Sequence, residues 1–259
     1  MIFNKYITFF ILIVLPYQTI LATNQTPLEQ EAVELYNKGL KLANEEIYNE
    51  SIITLNKAIE KAPNFLRAYY VKSRVLARLG KYEEAIIACD SALRYKKKLS
   101  KVLAQKALCL YILKQYNQSL ETAQLAVQCG DNSAFAYEMR ANAYGALGNY
   151  ELALKDYDKT FELVTNPNSP NNDETYLNRF FPLYNLGRYQ EALETCDKAL
   201  EITTTPNKLP QIYSKKSAAL NKIGRHNEAL KNANKSLEIS SNDPLGISEK
   251  KIAKSKLNK

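Results

Sequence analysis

Apolar and small residues return along this chain with two interlocked periods. Within short windows they fall three and four residues apart, which is the spacing of one face of an α-helix. Over longer windows the whole pattern repeats. Tyr48, Tyr82, Tyr116 and Tyr150 stand 34 residues apart, Tyr189 follows after 39 and His226 after 37. Three residues beyond each aromatic comes a small residue: Ser51, Ala85, Ser119, Ala153, Ala192 and Ala229. Seven further on stand Ala58, Ala92, Ala126, Thr160, Ala199 and Ser236, each followed by an apolar side chain. Upstream of each aromatic, Leu42, Leu76, Leu110, Tyr144, Leu183 and Leu220 share one place, and Leu35, Tyr69, Leu103, Tyr137, Tyr176 and Tyr213 stand seven residues before them. These two sets predict a buried stripe on a first helix, and the small residues predict a second helix whose backbone approaches the first closely. Gly80, Gly148, Gly187 and Gly224 fall between the two, where a residue at positive φ ends a helix without a Cβ clash. The predicted helix pairs span 32–65, 66–99, 100–133, 134–167, 173–206 and 210–243.

The ends and one internal stretch depart from the period. Thr26, Pro27 and Glu29 form a helix start with a capping box, so the first helix is expected over 27–44. The stretch NSPNN at 168–172 is an insert. Pro182 lies inside a predicted helix, where it removes a backbone hydrogen bond. Together they predict a kink and a break in the stacking between the fourth and fifth pairs. After residue 243, Leu245, Ile247, Ile252 and Leu257 lie among lysines, which predicts a basic capping helix or tail over 244–259, its apolar residues covering the last pair.

A 34-residue period with an internal helix–turn–helix marks a stacked-repeat architecture. With the aromatic–x–x–small phrase repeated six times, four of them led by Gly two residues earlier, residues 32–243 resemble the tetratricopeptide repeat family. The resemblance implies an all-α fold: a right-handed superhelical solenoid of six helix-turn-helix repeats with a C-terminal capping helix. Tyr or Leu replaces the family's Trp near the start of each unit, and the proline that commonly closes the second helix is present only as Pro63. The fifth unit departs furthest, with Phe180 where a small residue is expected.

The first 22 residues read as a secretory signal peptide: Lys5, an apolar run from Ile7 to Leu15, Pro16, and small Ala22 at the cut. An uncleaved anchor is the alternative. Residues 23–31 form a lead into the array. Export makes the chain a periplasmic or secreted protein; the alternative makes it membrane-anchored. Cys89, Cys109, Cys129 and Cys196 lack metal-type spacing. They read as buried thiols, with a Cys89–Cys109 disulfide open in an oxidising compartment. The net charge is +8, and Lys250, Lys251, Lys254, Lys256 and Lys259 in the last fifteen residues supply much of it. So uneven a distribution argues against a nucleic-acid face, which spreads basic residues along one surface.

No catalytic set, metal-ligand spacing or cofactor motif stands out. The single histidine, His226, takes the place of the recurring Tyr and reads as an aromatic substitute. What remains is a surface. In the family, the second, sixth, ninth and thirteenth positions of each first helix line the concave face, where peptide segments of other proteins bind. Here those positions give a candidate peptide site at Arg67, Val71, Arg74, Arg78, Lys101, Gln105, Leu108, Ile112, Phe135, Met139, Asn142 and Asn178. The arginines and Lys101 suit acidic groups, while Leu108, Ile112, Phe135 and Met139 suit apolar ones. Some members grip a peptide's C-terminal carboxylate; Asn142, Asn178 and Lys215 match that set, but Glu138 and Gln211 stand where lysines belong, so that clamp is not expected.

The resulting expectation is a non-enzymatic, exported interaction scaffold binding an acidic–apolar peptide segment, with no cofactor and no small-molecule substrate. Self-association through the apolar patch is the competing use of the same face. A membrane-anchored structural subunit of an envelope or secretion assembly is the alternative function, with membrane contact only if the N-terminus is uncleaved. Nucleic-acid binding through the basic tail is the weakest.

Overall fold

The computed structural model describes residues 27–164, 166 and 172–258. The expected signal peptide, the Thr26 cap and most of the 168–172 insert lie outside the described residues. Among the described residues there are thirteen α-helices and no strand. They form two compact units, Met1–Lys97 and Lys98–Lys259. The first unit holds α1 (Pro27–Asn44), α2 (Tyr48–Lys61), α3 (Leu66–Arg78) and α4 (Tyr82–Tyr95). The second begins with α5 (Ser100–Ile112), α6 (Tyr116–Gln128), α7 (Ala134–Ala146) and α8 (Tyr150–Leu163). It continues with α9 (Asp173–Asn185), α10 (Tyr189–Ile202), α11 (Leu209–Lys222), α12 (His226–Ile239) and α13 (Pro244–Leu257). Each odd helix up to α11 pairs with the even helix after it.

The turn inside each pair is one structure made six times. The N–H groups of Ile47, Lys81, Gln115, Asn149, Arg188 and Arg225 donate to the carbonyls of Leu42, Leu76, Leu110, Tyr144, Leu183 and Leu220, each at 2.9 Å. This six-to-one bond closes the first helix and requires a left-handed residue between. Gly148 takes it at φ 80°. Two pairs lack the glycine, and there Glu46 and Lys114 hold φ 62° and 60°.

The small residues let the paired helices touch. Ser51 Oγ donates to Gly39 O at 2.7 Å, Ser119 Oγ to Ala107 O at 2.8 Å and Ser217 Oγ to Ala229 O at 2.8 Å. All three hydroxyls are buried and satisfied across the crossing, so the close approach leaves no orphaned polar group. A Cβ on Gly39 would lie 2.8 Å from Leu55 Cγ, which shows how little space the crossing holds. In α9 the corresponding residue is Phe180. It is buried and stacks on Tyr184 with centroids 5.4 Å apart.

α9 runs through Pro182 to Asn185 as one helix. Two expectations need correction. Stacking continues past the insert: Leu154 of α8 shares one core with Leu177, Leu183, Leu193, Ile212 and Leu220. Phe161 stacks on Tyr176 at 4.5 Å, and Thr175 Oγ1 donates to Glu138 at 2.7 Å. The division between compact units falls instead at 97/98, in the lysine-rich stretch after α4. Second, α13 packs on α11 and α12 through Gly246, Glu249 and Ala253, while Leu245, Ile247, Ile252 and Leu257 stay exposed. Close packing selects the small side chains for the contact. Glu249 is tolerated because Asn221 Nδ2 donates to its carboxylate at 2.8 Å and to its carbonyl at 3.0 Å.

Candidate functional site

The candidate residues divide between the two units, and each unit builds a recess from them. In residues 27–97, Val71 is buried on α3. With Val75, Leu40 and Ala43 it lines a cavity of about 180 Å³ whose other walls are Tyr48, Asn44, Arg74, Arg78 and the acidic Glu46. Arg74 lies 5.8 Å above the Tyr70 ring and stays exposed, as do Arg67 and Arg78. Apolar side chains beside two exposed guanidinium groups, which outnumber the one carboxylate of Glu46, suit an apolar side chain next to a carboxylate.

In residues 98–258, the candidate positions serve in different ways. Gln105, Met139 and Asn142 are buried, and Met139 is only 4% exposed. Leu108 and Phe135 are half-buried, whereas Lys101 and Ile112 are exposed. Of the apolar patch expected here, Met139 is packed away by the neighbouring helices, while Leu108, Phe135 and Ile112 keep part of their surface open. Of these residues Asn142, with Asn178, reaches a cavity of about 410 Å³. Tyr111, Tyr116, Phe181 and Pro182 wall that cavity with rings, and Lys215 lines it too.

Hydrogen bonds fix the cavity's polar groups. The Tyr157 hydroxyl donates to Asn142 Oδ1 at 2.6 Å, which aligns the amide and leaves its Nδ2 as a donor. Burial pushes the Tyr157 phenol well above its ordinary pKa, so it remains a donor. Burial also raises Glu138, which accepts from Thr175.

Lys215 differs from its neighbours. Its ammonium donates to Leu177 O at 2.8 Å and lies 5.4 Å from the Phe180 ring centroid. Among the described residues no carboxylate forms an ion pair with it, although Lys208 and Lys216 on either side pair with Asp173 and Asp197. Burial lowers its pKa, opposed by smaller contributions from Cys196 and Glu174. An ammonium has three donors, and one acceptor is in place.

The sequence set Lys215 apart only as one of three residues matching a carboxylate-gripping set that Glu138 and Gln211 leave incomplete. The register gave no sign that its neighbouring lysines would have partners and it would not. His226 completes the Tyr series, with Nδ1 3.2 Å from Asn221 Oδ1. Among the described residues none of the four cysteines forms a disulfide, and Cys89, Cys109 and Cys196 are buried. Among the described residues no helix is long and apolar enough to cross a membrane.

Stacked helix pairs with a repeated six-to-one turn, presenting recesses along their first helices, define a helical-repeat protein. Tetratricopeptide repeat models match three stretches of the chain: one matches residues 36–98, and a second matches 136–163 and 183–205. Solved structures share the fold. A chain of the APC/C hetero-tetramer Cut9–Hcn1 aligns over 86% of this chain at 16% identity and a TM-score of 0.78; this chain spans 42% of its length. PilF of Pseudomonas aeruginosa aligns over 90% of this chain and 100% of its own, at 15% identity and a TM-score of 0.72. YrrB, described as a TPR protein with an unusual peptide-binding site, aligns over 76% and 97% at 19% identity and a TM-score of 0.58. No curated protein matches the chain in sequence.

Proposed function

We propose that this protein is a non-enzymatic interaction scaffold that holds an acidic–apolar segment of a partner protein in a recess lined by first helices of residues 98–258. The observation that carries this reading is Lys215, a half-buried ammonium with one acceptor and no carboxylate, at the edge of a ring-walled cavity. A charged group drawn out of water is costly unless paired, so a ligand carboxylate is the natural complement. Asn142 and Asn178 supply amides for the ligand's main chain, and Tyr111, Tyr116 and Phe181 supply a surface for its apolar side chains. Arg74 and Arg78 give residues 27–97 a second recess of the same chemistry. The peptide-binding description of YrrB supports this use of the fold. Export is part of the proposal and rests on the apolar run Ile7–Leu15 followed by Ala22.

Peptide display against the full chain tests it. Enriched segments are expected to carry an acidic residue beside apolar ones, and Lys215→Glu should weaken them about 10- to 100-fold. Amidating the C-terminus of a selected peptide separates a terminal carboxylate from an internal Asp or Glu. Equal binding by Lys215→Glu, Arg74→Glu and the original chain would refute the assignment.

A further inference from the structure

Two exposed surfaces take no part in the recesses, and their chemistries are opposite. The first lies on the second helices of residues 27–97. Ile53 of α2 and Ile87 of α4 occupy the same register position, 34 residues apart, and are 57% and 65% exposed. Residues three and four before them on a helix share their face. For Ile87 these are Glu83 and Glu84, and for Ile53 they include Glu50. Lys57 also lies on this face, and Lys81 reaches Glu84 at 3.4 Å, both exposed. The patch remains apolar at its centre and acidic around it.

The second surface is on α13. Gly246 is its third residue and is buried, as Ala68 and Ala136 are in α3 and α7. By that register α13 is a first helix, and the helix-crossing position held by Gly39, Ser73, Ala107, Ala141 and Ser217 elsewhere falls on Lys251. A lysine there prevents the close approach of a second helix. The face is left open: Ile247 is 52% exposed, and Lys250, Lys251 and Lys254 follow it at three, four and seven residues, on the same side. None of these lysines forms an ion pair among the described residues.

We propose that the α13 face of one copy docks on the α2–α4 face of a second copy. Ile247 would meet Ile53 and Ile87, with Lys251 and Lys254 against Glu83 and Glu84. Charge complementarity favours this occupant: α13 supplies lysines that form no ion pair among the described residues, and the α2–α4 face supplies Glu50 and Glu83 beside the Glu84 that Lys81 already reaches. Nucleic acid fits the lysines less well, since α13 carries neither arginine nor an aromatic ring to stack on bases. The contact joins unlike surfaces, so each copy keeps one of each free and association proceeds head to tail, into rings or open chains. This inference is independent of the peptide recesses and stands or falls without them.

Sedimentation equilibrium of the full chain tests it, the N-terminal segment being common to every variant. The original chain should exceed 29.4 kDa increasingly with concentration, with a Kd of about 1–100 µM for so small a contact. Lys251→Glu/Lys254→Glu makes both faces acidic, and Glu83→Lys/Glu84→Lys makes both basic, so each variant alone should stay at the single-chain mass. Mixed together, they regain opposite faces and should associate again, and Ile87→Ser should weaken association at any salt concentration. The substitutions are at exposed positions, and circular dichroism checks the fold of each. A single-chain mass for the original protein throughout, association of either variant alone, or no association of the mixture would each overturn the proposal. A single chain that instead binds anionic vesicles through the same lysines would also overturn it and assign the face to a lipid surface.

Discussion

Replacing Lys114 by glycine is expected to stabilise residues 98–258, although the side chain removed is fully formed and the one introduced is none. Lys114 holds φ 60° in the α5–α6 turn. There its N–H donates to Tyr111 O at 2.9 Å, and the next N–H closes the bond to Leu110 O. Its side chain is exposed and forms no ion pair among the described residues. The left-handed conformation costs an ordinary residue about 1–2 kcal/mol. Glycine avoids that cost but loses about 0.5–1 kcal/mol more chain entropy on folding. The difference is a gain of about 0.5–1 kcal/mol, or about 1–4 °C in Tm for a body of this size. Urea melts followed by circular dichroism should show a higher midpoint with an unchanged slope, since the surface exposed on unfolding is the same. Gly148→Ala, at φ 80° with nothing within 4 Å of the new Cβ, should lose stability through backbone strain alone. A Lys114→Gly midpoint at or below the original would show that this turn is not held in the conformation described.

Two further substitutions probe packing in the same unit. Arg140 grips Asp156 with two hydrogen bonds of 2.6 and 2.7 Å, and both side chains are largely buried. Asp156→Ala should therefore cost about 3–5 kcal/mol by stranding the guanidinium, read as a fall in the urea midpoint; a loss under 1 kcal/mol would mean that water already reaches the pair. Ala153→Leu should cost about 1–3 kcal/mol by overfilling the α7–α8 crossing, and an unchanged Tm would place Ala153 outside it.

The repeat was legible because the same physical demand recurs at fixed intervals. Ala85, Ala153 and Ala192 are small for one reason, and six copies of that reason are hard to miss. Glu46 and Lys114 show where the pattern is weaker than the structure: the turn bond survives without glycine because the flanking helices impose it. Periodicity also tells which face of a helix is inward without telling which polar groups find partners there. Met139 and Phe135 were readable as apolar positions, but their depth depends on the spacing of neighbouring helices. Lys215 depends on the same spacing and on Asp173 and Asp197 having paired with other lysines. On α13 the sequence showed four large apolar residues and the fold used Gly246 and Ala253, because contact distance, not hydrophobicity, decided which side turned in.

The buried thiols carry a consequence for the life of the chain before it is folded. Burial pushes Cys109 up to about 11 and Cys196 up to about 12. Each unit above ambient pH cuts the reactive anion tenfold, so at pH 7 roughly one Cys109 in 10⁴ and one Cys196 in 10⁵ is a thiolate. In the unfolded chain the same groups have ordinary acidity and are open to any oxidant. Folding itself is thus the step that protects them. In an oxidising compartment, a molecule that closes its helix pairs quickly keeps its thiols, and one that lingers is exposed to cross-linking. Local contacts between adjacent helices, which form early because little chain must be gathered to make them, shorten that interval for a chain with no disulfide among its described residues.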